Sequence, residues 1–439
     1  MHLKHLSSTG KIKDYGPSGN SGQFAELFGR KYFQNHTLSG KAFLDRRAVH
    51  FYGYKPSDFG DTVINKDDLK QRYLVIGAEA GFGSNYATDD KLNHSFGLSW
   101  YNLTDLYKVK ESKVRLSADL NKKYDLLKLG GKQTLGLNTS LSFLSQSDSI
   151  TKIRSSLLYL NPYITATYKE YSFRAGIGFY VAADSVTNAH IYPMLEAKLE
   201  LIPAALQLYA GIDGGMERLS VKELSEQNPF MSSRMVMQYS YNKFRAYGGF
   251  NSNISRSFNF NGSISSSSCE NYPFFVPDFN SALRNNFTLL YDDISVMKLK
   301  AEVEFVKADK LRLGLSGGYY NYYKLGNQQH AWYKPDYDAA LAASYLMQDK
   351  IILKLRLGLN GPVWAKSPVL PDNPASAGII DLTEKIPAWT DLSLGAEYRF
   401  SKAFSAWLNL NNLTNSRHLY WTNYPSYRLN FLGGLSYSF

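Results

Sequence analysis

The whole chain contains a single cysteine, Cys269, set in the serine-rich stretch SISSSSCEN. That excludes an intramolecular disulfide and any cysteine-based metal cluster. No apolar run approaches the roughly 18 residues that a membrane-crossing helix needs, so no transmembrane helix is encoded. Met1 to Asn20 lacks the apolar core of a secretory leader. A secreted destination therefore requires this chain to be a mature or partial form. The basic residues give a formal charge of +11 but are scattered through the chain. With no Lys/Arg cluster and no recognition motif, nucleic-acid binding is not expected.

Catalytic signatures are missing as well. There is no nucleophile elbow, P-loop or dinucleotide fingerprint, and the nearest Ser/His pair, His94-Ser95, has no acidic partner in sequence. The chain is not read as an enzyme. Its eight histidines, among them His36, His190, His330 and His418, show no zinc-ligand spacing, and no metal or cofactor is expected. The acidic connection SDFGDTVINKDD, with Asp58, Asp61, Asp67 and Asp68, could hold calcium but lacks the spacing of an EF-hand loop. Such segments are usually just solvated.

What the chain has in excess is aromatic residues, 15% of the total, led by 33 Tyr. A ring with a wet hydroxyl suits the boundary between hydrocarbon and water. The second positive feature is alternation. Met297, Leu299, Ala301, Val303 and Phe305 enclose Lys298, Lys300, Glu302 and Glu304. Ile351, Leu353, Leu355 and Leu357 enclose Ile352, Lys354 and Arg356, and Leu392, Leu394, Ala396 and Tyr398 enclose Ser393, Gly395 and Glu397. The last stretch, SYRLNFLGGLSYSF from Ser426 to Phe439, repeats the pattern to the final residue. Successive strand side chains point to opposite faces, so each segment is apolar on one face and polar on the other. No charge falls on an apolar face, as contact with lipid requires, because Lys or Arg there costs roughly 2–4 kcal/mol at the midplane. A buried sandwich core imposes the same rule. Number separates the two: about twenty such segments in succession exceed the seven to nine strands of a sandwich and fit one closed wall.

Connections near the C-terminus alternate in length. Tight turns at Lys307 to Lys310, Gln348 to Lys350 and Ser401-Lys402 are separated by long segments at Leu325 to Pro335, Gly361 to Lys385 and Thr414 to Pro425. Outer-membrane barrels keep short turns on the periplasmic side and long loops outside. Upstream, Ser220-Val-Lys-Glu223 reads as a capping box that opens a helical insertion, and Cys269 to Asn280 reads as irregular. The expected fold is all-β: a transmembrane antiparallel up-and-down β-barrel of about 20–22 strands over residues 1–439.

The C-terminal pattern resembles the barrel of TonB-dependent outer-membrane receptors, including the shorter receptor-like barrels of Bacteroidetes. The residues that carry the likeness are NLNNLTNSRHLYW (Asn409 to Trp421), a loop with Pro425, and YRLNFLGGLSYSF. The resemblance implies an outer-membrane location and a role in substrate binding or uptake. It also implies a plug domain and an energy-coupling protein as partners besides the outer-membrane lipid. Neither a plug nor the short coupling segment is visible here, which leaves open a passive pore or a structural or assembly barrel that transports nothing. A barrel this wide has a lumen that strand side chains alone do not fill. Candidate ligand contacts are the loop aromatics Trp332, Tyr333, Trp364, Tyr420 and Trp421, whose faces can stack on flat ligands; girdle residues at the membrane boundary are the alternative reading. The ligand itself is not legible.

Overall fold

The computed structural model describes residues 1–60, 64–86, 88, 90–126, 132–184, 186–366 and 383–437. It is built almost wholly of strands. The first nine are β1 (His2–Ser8), β2 (Asn20–Tyr32), β3 (His36–His50), β4 (Lys70–Ser84), β5 (Asn93–Thr104), β6 (Lys110–Tyr124), β7 (Gln133–Ser147), β8 (Lys152–Tyr168) and β9 (Tyr171–Ala183). Next come β10 (Thr187–Ile202), β11 (Leu206–Arg218), a short helix α1 (Val221–Gln227), β12 (Tyr239–Ser255), β13 (Phe258–Pro277) and β14 (Phe287–Lys307). The chain ends with β15 (Leu311–Leu325), β16 (Tyr337–Met347), β17 (Ile351–Asn360), β18 (Val363–Lys366), β19 (Thr383–Ile386), β20 (Trp389–Arg399), β21 (Phe404–Asn411), β22 (Leu419–Trp421), β23 (Tyr424–Pro425) and β24 (Asn430–Tyr437).

Twenty of these strands form one sheet, within the expected range, while β18–β19 and β22–β23 make two small hairpins of their own. The chain divides into two compact units. The first comprises residues 1–198, 211–245 and 269–291; the second comprises 199–210, 246–268 and 292–439.

In the second unit, register carries the apolar pattern from strand to strand. Val303 pairs with Leu315, Leu315 with Leu341, Leu341 with Leu357, and Leu357 with Leu392. Leu394 pairs with Leu410, which pairs with Phe431. A one-residue slip at any pair would turn a whole strand over, so this continuity fixes a single apolar face. That face has no protein over it: Leu315 is 53% exposed and Phe431 78%. A sandwich core would bury these side chains, and the sandwich alternative is thereby excluded. The antiparallel sheet is an outer-membrane-type β-barrel wall, apolar outward.

The first unit repeats the arrangement. Ala80 pairs with Leu98, Leu98 with Leu116, Leu116 with Leu141, and Leu141 with Leu158. At the 85–92 end of this wall, His36 stacks on Phe82 at 5.0 Å, and His94 lies 5.6 Å from Phe82 and from Phe96. These rings form one aromatic cluster on the wall. The His94-Ser95 pair is split by it, since consecutive strand residues face opposite ways.

Two of the expected tight turns have both central residues at positive φ: Ala308 and Asp309 at 50° and 54°, Gln348 and Asp349 at 51° and 57°. Each is closed by an N–H to carbonyl bond, Lys310 to Lys307 and Lys350 to Met347. This is the primed turn, whose twist matches that of the strands it joins.

The structure corrects three boundaries. Residues 269–277, read as irregular, continue β13 through Pro277. Phe274, Phe275 and Val276 are all buried, so both faces are covered there and no alternation could mark the strand. The last strand begins at Asn430 rather than Ser426, because side-chain bonds described below hold 426–429 away from the wall. Its terminal residues 438 and 439 lie outside the described residues. The long connection Gly361 to Lys385 contains part of its own hairpin, where Val363 pairs with Ile386 and Lys366 with Thr383.

Candidate functional site

All five candidate aromatics belong to the second unit; the structure brings Trp332, Tyr333, Trp364 and Trp421 together and sets Tyr420 against Trp389 and His418 instead. The connection after β15 is anchored first. Buried Asp292 on β14 accepts the backbone N–H groups of Asn327 and Gln328 at 2.9 Å. From there the chain turns through Trp332 and Tyr333. Trp332 is 2% exposed; its Nε1 donates to Gln328 Oε1 at 3.0 Å, and Lys366 Nζ sits 5.3 Å from its ring. Tyr333 donates its backbone N–H to the carbonyl of Trp364, and its hydroxyl meets Thr422 Oγ1 at 2.7 Å. Its ring lies 4.7 Å from that of Trp421. Trp364 is stacked on His330 at 4.1 Å, with Lys385 Nζ 5.3 Å from the ring. Tyr420 is 49% exposed and meets Trp389 edge-on at 5.2 Å. Tyr420 is thus the ring with an open face.

Beneath these rings is a small apolar core of Val363, Ala365 and Ile386, with Tyr333 and Leu419 packed against it. The aromatics therefore tie three connections into one body before any ligand is considered. Burial shifts the titratable groups within it toward neutrality: it lowers the Lys366 ammonium and raises the Glu384 carboxyl. It also raises Tyr333 and Tyr420, and it lowers His418, whose ring stacks on Trp389 at 4.4 Å.

The Asn-rich motif cross-ties the last connection. Asn412, 2% exposed and at φ 51°, donates its amide to the carbonyls of Ser416 and Tyr427 at 2.7 and 2.8 Å. Its carbonyl oxygen accepts from the Thr414 hydroxyl at 2.8 Å. Asn415, also at φ 51°, accepts the Leu429 N–H, and Asn411 donates to Asn430 on the terminal strand. Asparagine tolerates the left-handed region and supplies local hydrogen bonds, so it suits both positions.

A second departure from the wall lies in the first unit. Ser220 caps α1 by accepting the Glu223 N–H at 3.2 Å, as its capping box predicts. Glu111 on β6 then accepts the N–H groups of Val221 and Lys222 at 2.6 and 3.2 Å, and the Tyr101 hydroxyl at 2.9 Å. Farther along, Gln71 bonds Ser233 at 2.7 Å, Tyr73 donates to the Pro229 carbonyl, and Arg47 reaches Ser225. The insertion 219–238 is thus fastened to β3, β4 and β6. Its helix start was legible in sequence; the buried carboxylate that receives it was not, because Glu111 is one unremarkable residue in an alternating strand.

In the acidic connection, Asp58 lies on a short turn Pro56–Phe59, and Asp67 and Asp68 on a second, Lys66–Leu69. Asp61 lies outside the described residues. Among the described residues, no group of three or more His, Cys, Asp or Glu side chains is placed to hold a metal ion.

Wall and turns together define the class: an outer-membrane-type β-barrel. Comparison with solved structures specifies it further, as the barrel fold of TonB-dependent receptors. The pyoverdine receptor FpvA from Pseudomonas aeruginosa PAO1, bound to pyoverdine, superposes with a TM-score of 0.70 at 12% identity, over 99% of this chain and 73% of that one. The siderophore receptor PirA from Acinetobacter baumannii gives 0.69 at 10% identity, over 97% and 72%. The FrpB iron transporter from Neisseria meningitidis gives 0.68 at 9% identity, over 98% and 73%. In two of the similar structures, one with pyocin S2 and one with a heterologous pyoverdine, the chain spans 66% and 65% of the receptor's length, just under two thirds. No protein-family model and no curated protein matches the sequence.

Proposed function

We propose that this chain is the barrel of an outer-membrane receptor that binds a small ligand at its long-connection end and passes it across the outer membrane. The observation that carries the reading is the fold: nearly the whole chain superposes on receptors and transporters of that membrane. The loop body of the second unit supports it, because a rigid aromatic surface lowers the ordering cost of binding. In this reading Tyr420 and the partly exposed Trp364 and Trp421 touch the ligand, while Trp332 and Tyr333 hold the Trp364 and Trp421 segments in place. An energy-coupling protein not encoded in this chain drives release into the periplasm.

The test is depletion of small molecules from the medium by the native host, with and without the gene, and with and without a protonophore. The receptor reading expects depletion that needs both the gene and the proton gradient, and that falls in Tyr420→Ala. Gene-dependent depletion indifferent to the protonophore would instead identify a passive pore. No gene-dependent depletion at all would leave a barrel with a structural or assembly role.

A further inference from the structure

Beside the insertion, the polar face of the first unit's wall holds a cavity of about 290 Å³. This is at the small end of sites that hold organic ligands. Its charged lining is Lys113, Arg115, Arg218, Glu217 and Glu223. Lys113 is neutralised by Glu223 of α1 at 3.2 Å. The two arginines are not paired in this way. Arg115 reaches only the Ser140 hydroxyl, at 3.5 Å. Arg218 is 9% exposed, lies 4.8 Å from the Tyr239 ring centre, and has an Nε without a hydrogen-bond partner. Among the described residues neither has a carboxylate within ion-pair distance. Against them stands the exposed Glu217, leaving one net positive charge.

A buried guanidinium with an unused N–H is unfavourable unless an anion completes it, and its planar fork matches a carboxylate. The rest of the lining combines the hydroxyls of Ser140, Ser142, Ser155 and Ser156 with an apolar and aromatic side made of Leu144, Leu157, Met216, Tyr239 and the Tyr159–Tyr180 ring pair at 4.7 Å. We infer that this cavity binds a small monocarboxylate with a flat apolar body, its carboxylate on Arg115 and Arg218 and its body against Leu157 and Tyr180. The site is separate from the loop aromatics and does not require uptake.

Isothermal titration of the purified chain in detergent micelles, with benzoate as probe and benzamide as its uncharged counterpart, tests this. Benzoate is expected to saturate a single site, and benzamide to bind at least about tenfold more weakly. Arg115→Gln and Arg218→Gln are each expected to weaken benzoate about tenfold or more. Leu157→Trp, which fills the cavity without touching the charges, should abolish binding. Equal binding of the two probes, no saturation by millimolar benzoate, or full affinity in Arg115→Gln overturns the inference. Arg115 is exposed, so that variant decides the matter even if Arg218→Gln does not fold. The readout is binding alone, so its failure leaves the receptor reading standing, and failed uptake leaves this site standing.

Discussion

His418 shows how much one residue's surroundings decide. Its sequence context, NSRHLYW, marks it only as one of eight scattered histidines. In the structure it is buried against Trp389 and Tyr420, and neither ring nitrogen has a hydrogen-bond partner. Desolvation holds its pKa below the ordinary 6.5, and Asp391, the nearby acidic group, pulls weakly the other way. The sign follows from which state takes the proton. Below pH 6.5 the opened loop binds a proton that the packed loop refuses, so loop stability is full above that value and is lost as pH falls toward the folded pKa. Protease cleavage within 412–429 should therefore rise between about pH 7.5 and about pH 5. His418→Phe, which keeps the stack, should flatten that dependence. The five candidate aromatics teach a related lesson. Their place in long connections was legible, but which of them pack on one another depended on contacts between segments some 90 residues apart, such as Tyr333 with Thr422.

Among the elements, α1 and its insertion depend most on a distant partner. A seven-residue helix is too short to persist alone. Its cap, Ser220, is local, but its first two N–H groups are received by Glu111, 110 positions earlier in the chain. Glu111→Ala leaves those donors and the Tyr101 hydroxyl without an acceptor in a buried site, at an expected cost of about 2–3 kcal/mol. Glu111→Gln, which keeps one acceptor oxygen, should cost less. Chemical unfolding in detergent measures the difference, and new protease sites confined to 219–238 would place it in the insertion. Strands were easier to read than this insertion because alternation repeats along an element, whereas a capping carboxylate is a single contact. Where both faces of a strand are covered, as at Phe274 to Val276, even that signal disappears.

For the molecule as a whole, the decisive feature is which face meets hydrocarbon. Leu315 lies on the exposed apolar face between Val303 and Leu341; Ser316 next to it lies on the polar face. Leu315→Arg should destabilise folding into phospholipid vesicles by about 2–4 kcal/mol. Ser316→Arg should stay within about 0.5 kcal/mol of the parent. Urea titration of both variants reads the contrast, and equal effects would mean the faces had been assigned the wrong way round.

The sequence by itself determined the strands, their polarity and the turns between them, because these follow from residue type at a spacing of two and from local backbone preference. The C-terminal asparagine motif was visible in the same way, though its work of holding 426–429 off the wall was not. Only the tertiary structure decided that the apolar face is uncovered, that the loop aromatics pack on one another, and that Arg115 and Arg218 share a cavity without a carboxylate partner. Each of these depends on which strands become neighbours. Register is set by pairing across the whole sheet, and no window of sequence contains it.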